Sequence, residues 1–412
     1  MRFMTKGLVV ASAGFAMLVT PAAAADYQNE MREMRELVMQ LQDQVQTQQE
    51  QINIQQDVLQ DVGLEDERGS ASMMSSLLES TDFSGHVAAS YFYNTDDPVT
   101  GADGGGIGGN AALSNPFHPD HNSFQVDEVW IGMSRDGAVG FEFEVVYGAT
   151  ATAVAGGGGN SNDVWIPTAN LSYETPWGPT LTAGKFATTI GAESANSTKN
   201  VNITRGLTYS LQPISHTGAT LSGDMGGIAY TIGLVNGAGT EQGDGNSEKG
   251  FLWGLSMGND TSSVSFNGIY EEDGAGAADS GYTLDFVANH NASDNLTMWA
   301  NLDYISADAG ATDPWMIGLS IGSRLGINDN LGIGGRFELV HSDNDASGTA
   351  NAEADLYSIT VTSDYALADN LTWKCEVKYE AADGDIADPF LDGASSTTDE
   401  AWYLGTQLTY AF

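Results

Sequence analysis

The C-terminal stretch Trp402-Tyr403-Leu404-Gly405-Thr406-Gln407-Leu408-Thr409-Tyr410-Ala411-Phe412 decides the fold. Successive side chains of a strand point to opposite faces. Trp402, Leu404, Leu408, Tyr410 and Phe412 therefore share one face, with Thr406 as its only polar member. Tyr403, Gly405, Gln407, Thr409 and Ala411 occupy the other. The same period of two recurs upstream. Leu371, Trp373, Cys375, Val377 and Tyr379 alternate with Thr372, Lys374, Glu376, Lys378 and Glu380. Leu296, Met298, Ala300, Leu302 and Tyr304 alternate with Thr297, Trp299, Asn301 and Asp303, and Phe141, Phe143, Val145 and Tyr147 with Glu142, Glu144 and Val146. Each is a strand with one apolar face, aromatic at its ends, and one polar face.

Soluble sandwiches alternate too, so the connections must decide. Short turns lie at 136–137, 176–179, 224–227, 259–260, 292–295, 328–330 and 368–370. Between them fall longer loops near 95–121, 149–163, 187–215, 237–250, 271–280, 305–313, 341–354 and 381–399. Seven short turns and eight long loops imply sixteen antiparallel strands over 83–412. Loops sorted by length onto one end, with aromatic girdles, predict an all-β transmembrane barrel of the outer-membrane type. The segment 123–134 loses phase at Asp127-Glu128, which reads as a bulge. The terminal Phe412, on the apolar face with Tyr410 and Leu408, resembles the assembly signal of bacterial outer-membrane barrels.

The front of the chain is different. Arg2 and Lys6, the apolar run 7–19 and Ala22 to Ala25 predict a secretory signal peptide over 1–25. Residues 26–63 are rich in Gln, Glu and Met. Tyr27, Met31, Met34, Val38, Leu41, Val45, Gln48, Ile52, Gln55, Leu59 and Val62 follow a heptad, the signature of an α-helical coiled coil. Its narrow seam favours self-association over packing on the protein itself, with a homotrimer as the preferred state. Residues 64–82 form a linker into the barrel. The whole chain has 412 residues and a formal net charge of −41 with one Cys. That excludes a disulfide framework and argues against nucleic-acid partners, because phosphates would be repelled. The expected surroundings are outer-membrane lipid and lipopolysaccharide, with the prefix in the periplasm as a trimerisation device or a contact to peptidoglycan.

Sixteen strands leave an aqueous lumen, which the polar faces would line. Arg324, Arg336, Lys374 and Lys378 fall on lumen-facing positions of strands twelve, thirteen and fifteen, with Glu338 and Glu376 among them. Glu142, Glu144 and Glu174 face inward from strands three and four. Opposed charged walls would set a transverse field that orients dipolar solutes; the alternative is a set of solvated charges with no special role. The third loop runs from Ala187 through Glu193, Lys199 and Arg205 to His216. Folded inward, it would bring Glu193 and Arg205 to a constriction. No cofactor is expected. Acids in the outer loops, such as Asp343-Asn344-Asp345 and Asp383-Gly384-Asp385, could contribute Ca²⁺ ligands, although neither has a complete EF-hand spacing. No G-x-S-x-G or H-E-x-x-H occurs, so nothing in the sequence argues for an enzyme.

The stretch Gly184-Lys185-Phe186-Ala187-Thr188-Thr189-Ile190-Gly191-Ala192-Glu193, with Thr204-Arg205-Gly206, Pro213, His216-Thr217-Gly218 and Leu234-Val235-Asn236-Gly237, resembles the beta-barrel porin-2 (OmpL-like) family. The resemblance covers most of 83–412, from Phe83-Ser84-Gly85 onward, and adds Lys185 to the candidate pore-lining residues. It implies one barrel per chain and passive diffusion of small solutes. Val126-Asp127-Glu128-Val129-Trp130-Ile131 and the heptad prefix also resemble siderophore porins that carry a coiled coil. The expectation is an outer-membrane porin that prefers cations. Its rivals are a substrate-specific channel for siderophores or sugars, and a tether between outer membrane and cell wall.

Overall fold

The computed structural model describes residues 80–95, 117–118, 122–155, 164–237, 247–272, 280–308, 313–344, 352–384, 390–392 and 396–412. The signal peptide, the coiled coil, nearly all of the linker and several outer-loop acids lie outside them. The described residues belong to a single unit, Ser80–Phe412.

Sixteen antiparallel strands close into a barrel. They are β1 (Asp82–Asn94), β2 (Ser123–Arg135), β3 (Val139–Tyr147), β4 (Ala169–Glu174), β5 (Thr180–Ala187), β6 (Ser215–Asp224), β7 (Ala229–Val235) and β8 (Gly250–Gly258). β9 (Ser262–Glu272), β10 (Ser280–Ser293), β11 (Leu296–Asp308), β12 (Trp315–Gly326), β13 (Leu331–Asn344), β14 (Ala352–Ala368), β15 (Leu371–Gly384) and β16 (Glu400–Ala411) follow. Each strand pairs with the next, and β16 returns to β1 with His86 opposite Ala411. Gly85 and Phe412 exchange both backbone hydrogen bonds across this seam, at 3.0 and 2.8 Å. Closure leaves no edge strand, which a barrel needs in hydrocarbon. A two-residue segment, Val164–Trp165, also pairs with β3, and the second loop begins with a short helix, α1 (Ala149–Ala155). The sequence had suggested only a loop there.

The alternation of β16 becomes inside and outside. Trp402, Leu404, Leu408, Tyr410 and Phe412 are exposed on the outer face, while Tyr403 and Gln407 are buried inside. Thr406, the polar intruder on the outer face, accepts from Trp373 Nε1 at 2.7 Å and donates to the Lys374 carbonyl at 3.1 Å. Its hydroxyl is thus satisfied without water, as a lipid-facing polar group must be. At the long-loop end, Tyr282, Tyr304, Trp315 and His341 on successive strands form a row of rings, with centroids 5.8, 6.1 and 5.1 Å apart. Such a belt suits the headgroup level.

The bulge falls where the phase breaks. Ala88 pairs with Glu128 and Ala89 with Val126, so Asp127 is the extra residue. Both Asp127 and Glu128 consequently turn inward, and both are buried. The apolar packing also lies within the barrel, around the third loop. Ile203 and Leu207 of that loop meet Phe92, Val340, Leu356 and Tyr403. Ala195 and Tyr209 meet Trp130, Val146 and Trp165. Ile190 meets Val235, Leu252 and Ile269.

Candidate pore constriction

The third loop, between β5 and β6, is the element that narrows the lumen. Two 3₁₀ turns, Ser197–Lys199 and Tyr209–Leu211, punctuate it, and the Asn196 side chain caps the first by accepting from Thr198 N–H. A loop inside a barrel carries backbone N–H groups away from water, and each needs an acceptor. Carboxylates on the wall supply them. Glu376 of β15 accepts from the N–H groups of Ile203 and Thr204 at 2.6 and 3.0 Å, and from the Thr204 hydroxyl at 2.6 Å. Glu128 of β2 accepts from Ser197 N–H at 3.1 Å and its hydroxyl at 2.8 Å. Glu338 of β13 accepts from Thr208 N–H at 3.3 Å and its hydroxyl at 3.0 Å. From β11, the Asn301 side-chain carbonyl accepts from Ala192 N–H at 3.1 Å. These acceptors surround the loop from several sides and hold it in one place.

Buried acids in that number require counter-charges. Arg205, on the loop itself, binds Glu128 at 2.8 Å and stacks 4.6 Å from the Phe117 ring. His86 contacts the other Glu128 oxygen at 2.6 Å. Arg336 bridges Glu193 of the loop, at 2.5 Å, and Glu338 on its own strand, at 2.9 Å. Glu193 also accepts from Gly206 N–H at 2.7 Å. Lys378 pairs with Glu380 at 2.5 Å. His118, in the first loop, is buried against Phe92 with ring centroids 4.1 Å apart. Desolvation pushes its imidazole below the ordinary range, against the raising effect of Asp127.

The anticipated lumen residues therefore divide. Glu193, Arg205, Arg336, Glu338 and Glu376 fasten the loop, together with Glu128, which was not anticipated. Arg336 and Lys378 do face inward, but each is only 2% exposed beneath the loop. They are spent in pairs and do not form an open cationic wall. Arg324 and Lys374 lie nearer the short-turn end and line a cavity of 430 Å³ below the loop, together with Lys199 and Asp364. Arg324 grips Asp364 at 2.8 and 2.5 Å, and Lys374 donates to the Asn200 carbonyl at 2.7 Å. Across the barrel, Glu142 and Glu174 are exposed near the same end. Glu144 accepts from Trp130 Nε1 at 3.0 Å and from the Thr168 hydroxyl at 2.9 Å. Lys185 packs 5.4 Å over the Trp165 ring.

Asp127, Glu128 and Lys199 were not on the list of candidates read from the sequence. The first two had a signal, since a phase break that turns two consecutive acids inward marks an interior charge. Asp127 receives Ser90 Oγ and Gln125 Nε2, both at 2.6 Å, and Gln407 Nε2 at 2.9 Å. Lys199 was named only as part of the third loop, because a lysine in an irregular loop has no register to place it. The acids suggested for Ca²⁺ lie partly outside the described residues. Among the described residues, no group of three or more His, Cys, Asp or Glu is placed to hold a metal ion.

A closed sixteen-strand barrel with an apolar belt and an inward-folded third loop defines the porin class of outer-membrane barrel. Residues 80–412 match the family described as "Putative beta-barrel porin-2, OmpL-like", and the chain belongs to it. That family places it in the bacterial outer membrane as a channel-forming barrel. The outer membrane channel DcaP of Acinetobacter baumannii superposes with a TM-score of 0.58 at 15% identity, over 81% of this chain and 97% of that one. OmpT of Vibrio cholerae does so with 0.55 at 12% identity, over 81% and 97%. An anion-selective porin from Comamonas acidovorans gives 0.53 at 12%, over 81% and 99%. At such identities the likeness is one of fold. No curated protein matches the sequence.

Proposed function

We propose that the barrel is a channel for passive diffusion of ions and small hydrophilic solutes, narrowed by a fixed third loop and biased toward cations. No catalytic step is part of this reading. The observation that carries the bias is the pairing of the lumen charges. Among the described residues, Arg205, Arg324, Arg336 and Lys378 each hold a carboxylate. Among the same residues, Glu142 and Glu144 are held by neutral donors, and neither they nor Glu174 pair with a cation. Lys199 and Lys374 pair with no carboxylate among the described residues, but Arg336 answers both Glu193 and Glu338, and Glu376 is held only by neutral donors. The surplus of acids leaves a net negative potential along the path, and such a potential enriches cations.

The homotrimer and the roles of the prefix belong to the same proposal. Residues 26–63 would associate three barrels, embedded in lipid and lipopolysaccharide, or reach peptidoglycan. One of the similar solved structures is described as a trimer form of OmpT of Vibrio cholerae, which is consistent with three barrels side by side. Reversal potentials in a KCl gradient test the bias. The reading requires stepwise conductance with a reversal potential of the sign for cation flow. A clear anion preference would overturn the bias, and absence of current would overturn the open channel.

A further inference from the structure

The third loop leaves a second cavity, of 220 Å³, between itself and the wall built by β2, β3, the Val164–Trp165 segment and the end of β5. Its apolar side is made by Trp130, Trp165, Tyr209, Ile190 and Ile214. Trp130 and Trp165 meet edge to face, with centroids 6.1 Å apart and planes at 89°, so they form a rigid corner. Three charged residues also line this cavity, namely Glu144, Glu193 and Lys199. Glu193 is neutralised by Arg336. Glu144 is held only by neutral donors, Trp130 Nε1 and Thr168 Oγ1, and pairs with no cation among the described residues. Lys199 is exposed and pairs with no carboxylate among them. Lys185 sits on Trp165 but does not line the cavity. Lys199 borders the lower cavity as well, so it stands at the passage between the two compartments.

One uncompensated anion, one uncompensated cation and an aromatic corner thus share a single concave site. A few polar groups on a mostly apolar concave wall are how small-molecule sites fix orientation. We infer that this cavity binds a small zwitterion with an apolar or aromatic side group, the class of free amino acids and very short peptides. The ammonium group meets Glu144 at the corner made by Trp130 and Trp165. The carboxylate meets Lys199, and the side group packs on Trp165, Tyr209 and Ile190. A solute with one charge leaves one of the two charged groups unanswered. The inference deepens the channel reading, since it makes the cavity a station on the path.

The test uses the full chain in planar bilayers, with L-phenylalanine, phenylalaninamide and 3-phenylpropionate as blockers. Their shapes are close and they carry both charges, the positive one and the negative one. Phenylalanine should block saturably and about tenfold more tightly than either analogue, the worth of one charge-assisted contact. Glu144→Gln should abolish its advantage over 3-phenylpropionate, and Lys199→Gln its advantage over phenylalaninamide. Equal block by all three, block by none, or an order that neither variant changes would overturn the inference while leaving the channel intact. If the wild-type protein carries no current, the channel reading falls. Quenching of tryptophan fluorescence by the same three compounds in detergent then decides on the cavity, with the same order expected and a flat response overturning it.

Discussion

At the residue scale, the interior charges divide into fasteners and free groups. Arg205 is a fastener. Its removal leaves Glu128 buried without its guanidinium, and breaking a buried pair from one side costs about 3–5 kcal/mol. Arg205→Ala should therefore lower the denaturation midpoint in detergent and make the open-channel current noisier. Arg205→Ala with Glu128→Gln should recover part of that loss, because the stranded charge is gone. A double-mutant cycle with no coupling would contradict the pairing. Glu142 and Glu174 are exposed and pair with no cation among the described residues, Glu142 accepting only from Asn170 Nδ2. Glu142→Gln with Glu174→Gln should leave stability within about 0.5 kcal/mol, as exposed substitutions do. The reversal potential should move toward zero, and an unmoved value would show that these acids do not set the bias.

At the scale of elements, the third loop and the closing strand carry the consequences. A Cβ at Gly206 would overlap the Glu338 carboxyl group, which is fully buried and also holds Thr208. Gly206→Ala should push that carboxylate aside and loosen the loop, raising both conductance and its fluctuation. An unchanged single-channel trace would show that the loop tolerates the shift. For β16, the ladder from His86–Ala411 to Asn94–Tyr403 is closed at its end by the paired hydrogen bonds of Gly85 and Phe412. Each contributes about 0.5–1.5 kcal/mol net. Deleting Phe412 should thus weaken closure of the barrel, seen as unfolding at lower temperature in an electrophoretic heat-shift assay.

At the scale of the molecule, the barrel and the prefix should be separable functions. A chain lacking residues 26–63 should still insert and conduct, since closure, belt and loop are complete within 80–412. If the heptad drives assembly, that chain should run as single barrels in native electrophoresis and open in single steps where the full chain opens in threes. Trimers that persist without the prefix would place the association on the barrel wall. An intact oligomer combined with a detached envelope would favour the tether.

The strands, the split between lipid and lumen faces, and the strand count were legible because period-two alternation is a local property. So was the bulge, as a slip of that period at Asp127-Glu128. Inward-pointing positions on β12, β13 and β15 followed from the same register, which is why Arg324, Arg336, Lys374 and Lys378 could be named. What those cations meet could not be read. Arg336 is matched by Glu193, which lies far from it in sequence, and Glu376 holds the N–H groups of Ile203 and Thr204 across the lumen. Such contacts depend on where an irregular loop comes to rest, and no periodicity encodes that position. The sequence by itself therefore determined a membrane barrel with a polar interior. The tertiary structure decided which interior charges are neutralised and which remain free, because burial and pairing are settled only when the third loop packs against the wall.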